Sequence, residues 1–538
     1  MQKIHMRGFL LFVFFFMLTF GLYYPTAHAR FVFDFIDWFG VYESEGWRGF
    51  LVDFHDVALR PVSHLINYPL HFLLGLDATA WLILATSIHA ATAAIAYCFI
   101  RKSLMLSHVA RPDFIAFFSS LFFLISPYQT EALVWGGDFF YLPTALFLIC
   151  SLGQFLSFAD TGQASYLYRY LLFFLFSVFC HEIGFIIPIL AALFIVALPD
   201  MSSNGQGKRG LLMKTVFLPL AFLPIYLLLD KIFLGQWIGH YGASVHLHFD
   251  IKEVFGKLNM YAAKFYLFAP FWKPHIYIWC RKPIMIYLTI SIMLISALAL
   301  MAPLKGRALR YALVFVFATV VSLAMVLNLY LVDFINIQSD RLGYFAAIFA
   351  FVPLMVALSR CPRILAYTGA VLFTVLSLYT LNINISSWHH AGQLAMALDK
   401  DFKYAKAENL YILNLPDNYK GAYIYRCRAQ GKYAQKQKML YGGDFHAKEI
   451  DVLSYNLNDA SDSVTVEKIS DSSLRVSFTK WGSWFWRNTC GASSYEDSLV
   501  RVDIDAWNHS YIATFKNKKP GDVFLYQAAD HWRRVDGF

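Results

Sequence analysis

"GFLLFVFFFMLTFGLYYPT", Gly8 to Thr26, is the stretch that decides the fold. It is 19 residues long and uncharged, enough for a helix to cross about 30 Å of hydrocarbon. Basic residues precede it within Met1 to Arg7, and the small-residue segment Thr26-Ala27-His28-Ala29 follows, as it would before a signal-peptide cleavage site. The preferred reading is an uncleaved anchor, because the run is long enough to span and many later runs would stay embedded anyway. Either reading leaves Asp34 outside the cytosol.

The same signal recurs along the chain. Apolar runs at about 79–100, 114–126, 139–158, 168–180, 183–198, 213–233, 284–302, 310–332, 344–358 and 364–383 bring the candidate crossings to eleven. With 58% hydrophobic and 18% aromatic residues and a mean hydropathy of +0.49 over 538 residues, the composition fits a polytopic membrane protein better than a string of soluble domains. The formal charge of +9 does not point to nucleic acid, because Lys and Arg cluster in short loops between apolar runs. With a cytosolic N-terminus, the basic loops Arg101 to Arg111, Lys208 to Lys214, Lys305 to Arg310 and Arg360 to Arg363 all fall on the cytosolic side. One piece resists: residues 234–283 contain "YAAKFYLFAPFWKPHIYIWCRK" (Tyr261 to Lys282), read as an interfacial or re-entrant element, with Arg281 and Lys282 outside against the usual bias.

Hydropathy falls after about Asp401. "SLRVSFTKW" (Ser473 to Trp481), "LVRVDIDAW" (Leu499 to Trp507) and "SYIATFKN" (Ser510 to Asn517) alternate as strands do and are separated by Asn, Asp, Gly and Ser. The expected organisation is an all-α membrane domain over 1–400 and a soluble, β-rich domain over 401–538, placed outside by an odd number of crossings. The seven cysteines show no CxxC, so zinc and thioredoxin-like readings lack support. Cys427 and Cys490 form a disulfide if their region faces an oxidising compartment and the geometry allows it. No internal repeat or low-complexity tract is present.

Sorted by side, the polar interruptions gather on the outer face. They are Asp34 and Asp37 in "FVFDFIDWFG" (Phe31 to Gly40), "RPVSHLINYPLHFLLG" (Arg60 to Gly75), "SPYQTEALVWGGDFF" (Ser126 to Phe140), "CHE" (Cys180 to Glu182), "SDRLGY" (Ser339 to Tyr344) and "SSWHHAG" (Ser386 to Gly392). Ionisable residues at membrane depth are costly and mark functional sites.

In that order these motifs resemble the polytopic GT-C glycosyltransferases that use polyprenyl-phosphate sugars, especially the branch of protein O-mannosyltransferases and their bacterial relatives. That pattern has an acidic pair after the first span, an Arg-Pro motif, a "P…TE…W" loop, a "KE" between two short spans and a late "dRy.y". The resemblance covers roughly residues 8–395. It departs at His181, where the pattern has Lys, at the spacing of Asp34 and Asp37, and at the displaced tyrosine, Tyr344. "LYILNLPDNYKGAYIYR" (Leu410 to Arg426) resembles a segment after the last span of bacterial members.

The resemblance implies a GT-C-like fold and an inverting transfer of sugar from a polyprenyl-phosphate carrier to a glycan, lipid or protein acceptor. The chemistry needs a carboxylate base for the acceptor hydroxyl and cations for the departing phosphate. Asp34 or Asp37 is the base. Asp34 is the first choice because it lies nearer the apolar run, where desolvation raises carboxylate basicity. Arg341 is the first choice for the phosphate and Arg60 the second, with Lys264 and His181 as further candidates. Glu131, Asp138, Glu182 and Tyr344 are candidates for substrate contact, and the three acids for orienting the base or ligating a divalent cation.

Plainer readings stand beside these. Asp34 and Asp37 also suit a solvated membrane boundary, Arg60-Pro61 the start of an interfacial helix, and Glu131 and Glu182 structural hydrogen bonds. His64, His71 and His89 show no carboxylate at ligand spacing, and Trp481, Trp484 and Trp486 suit core or membrane-edge packing better than sugar stacking. A lipid or sugar transporter or flippase is the rival class; it requires ionisable groups at mid-membrane depth and access from both sides. A polysaccharide polymerase or ligase is the rival within enzymes. The expected location is a bacterial inner membrane, there being no ER-retention ending, although Asn384-Ile385-Ser386 and Asn508-His509-Ser510 are usable sequons in an ER lumen.

Overall fold

The structure, a computed structural model, describes residues 2–29, 31, 35–36, 38, 42, 58–136, 139–198, 207–238, 250–268, 275–301, 306–324, 326–327, 340–425, 432–441, 445–459, 461–479, 485–487, 490–491 and 493–538. Asp34, Asp37 and Asp138 lie outside the described residues, as do Cys427, Trp481 and Trp484.

Among the described residues eight helices are long and apolar enough to cross a membrane: Gly8–Ala29, Ala78–Leu106, Tyr141–Thr161, Lys208–Leu234, Pro283–Leu300, Arg307–Ala324, Asp340–Ser359 and Arg363–Asp401. Three shorter apolar helices, Pro112–Leu124, Ala164–Cys180 and Glu182–Ala197, fill the remaining predicted runs. The chain is a multi-pass integral membrane protein. On Pro283–Met301 a continuous stripe of Ile284, Leu288, Ile292, Ile295 and Leu298 is half or more exposed. Leaving such side chains in water forgoes about 1.5–3 kcal/mol each, so this face is built for lipid.

Local chemistry sets the helix ends. Asp77 accepts hydrogen bonds from the N–H groups of Thr79 (2.9 Å) and Ala80 (3.0 Å), which caps Ala78–Leu106. Pro112 opens Pro112–Leu124, where its missing N–H costs nothing. Gly162, at φ +71°, closes Tyr141–Thr161, and after Gln163 the chain returns as Ala164–Cys180 packed against it. Within Lys208–Leu234 a π-helical turn, Met213–Phe217, precedes Pro219 and Pro224, the combination that bends an apolar helix. In Ala78–Leu106 the buried residues Ala85, Ala90, Ala93, Ala94 and Ala96 let neighbouring helices approach closely.

Two sequence expectations need adjusting. "SSWHHAG" is not a loop: it lies inside the 39-residue helix Arg363–Asp401. Its polar side chains end the apolar run, but nothing in it breaks the backbone hydrogen-bond ladder. The resistant region 234–283 contains a 17-residue helix, Ile251–Leu267, capped by Asp250, and the short helix His275–Cys280. Neither is among the long apolar helices.

By compactness the chain divides into two units. The first comprises Met1–Tyr24, Phe39–Leu133 and Asp138–Ile383; the second comprises Pro25–Trp38, Val134–Gly137 and Asn384–Phe538. The second unit is β-rich, as the alternation implies, but not purely antiparallel. In its four-stranded sheet Asn409–Ile412 runs parallel to both Val523–Ala528 and Lys448–Asp451, and His531–Arg534 pairs antiparallel at the edge. A second sheet orders Ala422–Tyr423, Leu415–Tyr419, Ser454–Leu457, Phe485–Arg487 and Cys490–Gly491. The third, entirely antiparallel, orders Tyr495–Glu496, Val500–Asp505, Ser510–Phe515, Ser473–Phe478 and Val464–Ser470. Tyr411, Phe515 and Phe524 pack at ring distances of 4.7–5.0 Å in the core of this unit, Tyr411 stacked on Phe524 and Phe515 edge-on to both. The helix Lys432–Tyr441 lies in the chain between strands of two of these sheets; Glu449 accepts hydrogen bonds from the N–H groups of Tyr433 and Ala434 in its first turn.

Candidate active site

Six side chains from five distant stretches meet in the first unit, all at or near helix ends. Arg60 stands immediately before Pro61–Leu74 and is 1% exposed; its guanidinium carbon lies 3.9 Å from the centre of the Phe140 ring. Phe140 and Tyr141 in turn pack on the His181 ring, with ring centres 5.3 and 5.2 Å apart. Arg60 and Arg341 are both near enough to His181 to act on it electrostatically.

His181 occupies the single-residue joint between Ala164–Cys180 and the 3-10 turn Glu182–Phe185. Its Nδ1 accepts the N–H of Ile183 at 3.1 Å, which fixes the neutral ring with its proton on Nε2. Gly184 makes the joint possible: a Cβ there would stand 2.6 Å from the backbone nitrogen of Val178. Glu182 lies 3.4 Å from His181 Nδ1 and is 23% exposed.

The decisive contact joins two 3-10 turns, Pro127–Gln129 and Asp340–Gly343, which pack on each other although more than 200 residues separate them. Glu131, just after the first turn, is wholly buried. One carboxylate oxygen accepts the Arg341 backbone N–H at 2.9 Å and the other the Arg341 guanidinium at 2.5 Å. The neighbouring Asp340, 1% exposed, accepts from Lys264 Nζ at 2.5 Å, and Lys264 is itself 2% exposed. Lys264 comes from the last turn of Ile251–Leu267, so the region that resisted assignment delivers a cation to the site. Its ammonium also lies 5.7 Å from the centre of the Tyr128 ring.

Arg60, Glu131, His181, Glu182, Lys264 and Arg341 are therefore brought into one neighbourhood. Tyr344 is wholly buried beside them. The Nε2 of His89 faces the Leu124 carbonyl at 3.1 Å and must donate, so its Nδ1 accepts from the Tyr344 hydroxyl at 2.6 Å. Sequence reading gave no individual role to Asp340 or Gln129 and weighed His89 only as a metal ligand. Asp340, beside Arg341 in an apolar context, carried a readable signal. His89 and Gln129 carried none; Gln129 is wholly buried, and its amide has no hydrogen-bond partner in the protein among the described residues. No group of three or more His, Cys, Asp or Glu side chains that could hold a metal ion occurs among the described residues.

No protein-family model matches the chain, and no curated protein sequence matches it. Among solved structures, it is similar to an oligosaccharyltransferase from Archaeoglobus fulgidus in complex with zinc and sulfate. Identity is 12% and the TM-score 0.37, covering 82% of this chain and 62% of that one. It is likewise similar to the archaeal oligosaccharyltransferase AglB from the same organism in complex with an inhibitory peptide and a dolichol-phosphate, at 12% identity and a TM-score of 0.36, covering 82% and 64%. The chain spans less than two thirds of the length of either. At these TM-scores neither likeness carries an activity or a detailed fold across.

Proposed function

We propose that this protein is a GT-C-like inverting glycosyltransferase that moves a sugar from a polyprenyl-phosphate carrier to an acceptor on the extracytoplasmic face. The observation that supports this best is the meeting of Arg341, Lys264 and Arg60 with Glu131 and Asp340 at the ends of apolar helices. Transporters place such groups at mid-span; here Arg60, Glu131 and Arg341 stand at or near helix ends. If the eleven apolar helices alternate in direction, the basic connections around Arg101, Lys208, Arg307 and Arg360 fall at one set of ends and the candidate site at the other.

In this reading Asp34, or else Asp37, removes the proton from the acceptor hydroxyl as its oxygen attacks the anomeric carbon. The bond from that carbon to the phosphate oxygen breaks with inversion, and both its electrons leave with the polyprenyl phosphate. Arg341 and Arg60 stabilise the charge that develops there, Lys264 adds to the local positive potential, and the Nε2–H of His181 donates a hydrogen bond. Glu131 holds Arg341 from behind and Glu182, Asp138 and Tyr344 shape the sugar site; a divalent cation, if used, would draw on these acids. We take the chain as a membrane domain over 1–400 and a β-rich domain over 401–538, which an odd number of crossings would put outside, and a bacterial inner membrane is the proposed location. Mass spectrometry of surface glycans and glycoproteins from cells with and without the gene tests the proposal. Loss of one defined sugar modification supports it, and identical profiles overturn it.

A further inference from the structure

The antiparallel sheet of the second unit has two unlike faces. On one, Leu474, Val476, Val500, Val502, Tyr511, Ala513 and Phe515 are buried in the core. Alternation sends Arg475 and Ser477, Ser510 and Ile512, and Asp503 and Asp505 to the other face of three neighbouring strands. That face is not flat. Arg475, Ser477, Asp503, Asp505, Asn508 and Ser510, together with Ile504, Tyr511 and Ile512, line a cavity of about 460 Å³, within the roughly 300–1,000 Å³ of small-ligand sites. The four-residue connection Ala506 to His509, between Val500–Asp505 and Ser510–Phe515, carries Trp507, which is 89% exposed.

The lining is held ready for a ligand. Arg501 donates to Asp503 at 3.1 Å through Nη2, and the Asn508 amide donates to Asp505 at 2.6 Å, which fixes both carboxylates and leaves them further acceptor capacity. The Asn508 contact also holds the Asp505 carboxyl below its ordinary range. Ser477 and Ser510 face one another across the ladder, and neither hydroxyl has a partner in the protein among the described residues. The lining chemistry narrows the ligand. A phosphate or sulfate would meet one cation, Arg475, against two carboxylates, and no three-ligand metal group is present among the described residues. An apolar ligand would leave the polar lining unsatisfied. A polyhydroxylated ring fits: vicinal hydroxyls donate to carboxylates and accept from guanidinium and serine hydroxyls, and the exposed indole of Trp507, on the connection next to the cavity, offers an aromatic face to a glycan that extends beyond it.

We propose that this sheet face, with the cavity beside the connection that carries Trp507, is a binding site for a neutral glycan. The inference rests on the sheet alone and does not depend on the glycosyltransferase reading. It is tested with the full-length protein in lipid nanodiscs, by calorimetric titration with neutral oligosaccharides of varied linkage, with the producing cell's own envelope polysaccharide, and with inorganic phosphate. At least one neutral glycan is expected to bind. Trp507→Ala and Asp505→Ala should each weaken that binding at least tenfold with the unfolding temperature unchanged, Trp507→Phe should recover part of the loss, and Asp34→Asn should bind as wild type. Failure of every glycan to bind, wild-type binding by Trp507→Ala, or displacement of the glycan by phosphate at equal concentration overturns the proposal.

Discussion

Replacing Arg341 with Ala separates two jobs that the structure gives to one guanidinium. Arg341 is 14% exposed and reaches Glu131, which is wholly buried, at 2.5 Å. Without it, Glu131 loses its guanidinium partner while the backbone N–H of residue 341, at 2.9 Å, remains. Removing one partner of a buried ion pair costs about 3–5 kcal/mol, because the other charge is stranded. Arg341→Ala should therefore lower stability markedly. The double variant Arg341→Ala/Glu131→Gln removes the stranded charge and should recover stability to within about 1–2 kcal/mol of wild type. Transfer should respond differently. If the guanidinium stabilises the departing phosphate, its loss costs roughly 10²–10³ in rate, as for other groups that stabilise developing charge, and the double variant should not regain it. The assay pairs thermal unfolding in nanodiscs with initial rates of transfer from a short-chain polyprenyl-phosphate sugar at subsaturating donor. A double variant that regains wild-type turnover along with its stability refutes a role for Arg341 in handling phosphate. An Arg341→Ala variant as stable as wild type refutes the buried pair.

Lys264→Met should destabilise by about 3–5 kcal/mol because it strands Asp340, and Lys264→Met/Asp340→Leu should recover most of that; additive losses in an unfolding titration would refute the pairing. Tyr344→Phe leaves His89 Nδ1 without its buried donor and should cost about 1–3 kcal/mol, read as a lowered unfolding midpoint. Asp34→Asn should reduce transfer by roughly 10²–10⁴ while donor binding survives, with Asp37→Asn milder; wild-type rates in both would remove the base from this pair altogether. Cysteines placed at Lys208 and Lys305 should be shielded from a membrane-impermeant reagent in intact cells and one at Lys420 labelled; the reverse pattern would overturn the orientation and the extracytoplasmic site with it.

The sequence by itself determined that this is a multi-pass protein and roughly where its helices lie, because a bilayer leaves only one economical arrangement for long apolar runs: helices that satisfy their own backbone. All eleven apolar runs carry helices, and the alternating segments Ser473 to Trp481, Leu499 to Trp507 and Ser510 to Asn517 supply three neighbouring strands of one sheet. Hydropathy misplaced one end, however. The helix begun at Arg363 runs through polar Ser386 to Gly392 to Asp401, since hydropathy reports the surrounding solvent and helix continuity depends on backbone hydrogen bonds. The parallel pairing of Asn409–Ile412 with two strands was equally hidden, because register between distant segments leaves no local mark. For the candidate site, Arg60, Glu131, His181, Lys264 and Arg341 stood out singly as polar residues in apolar surroundings. Only the tertiary structure decided that Glu131 takes Arg341, that Asp340 takes Lys264 and that His89 takes Tyr344. Those partners lie 76 to 255 residues apart. A buried charge or polar atom must find a partner of the right geometry, and which one it finds is set by how the helices pack.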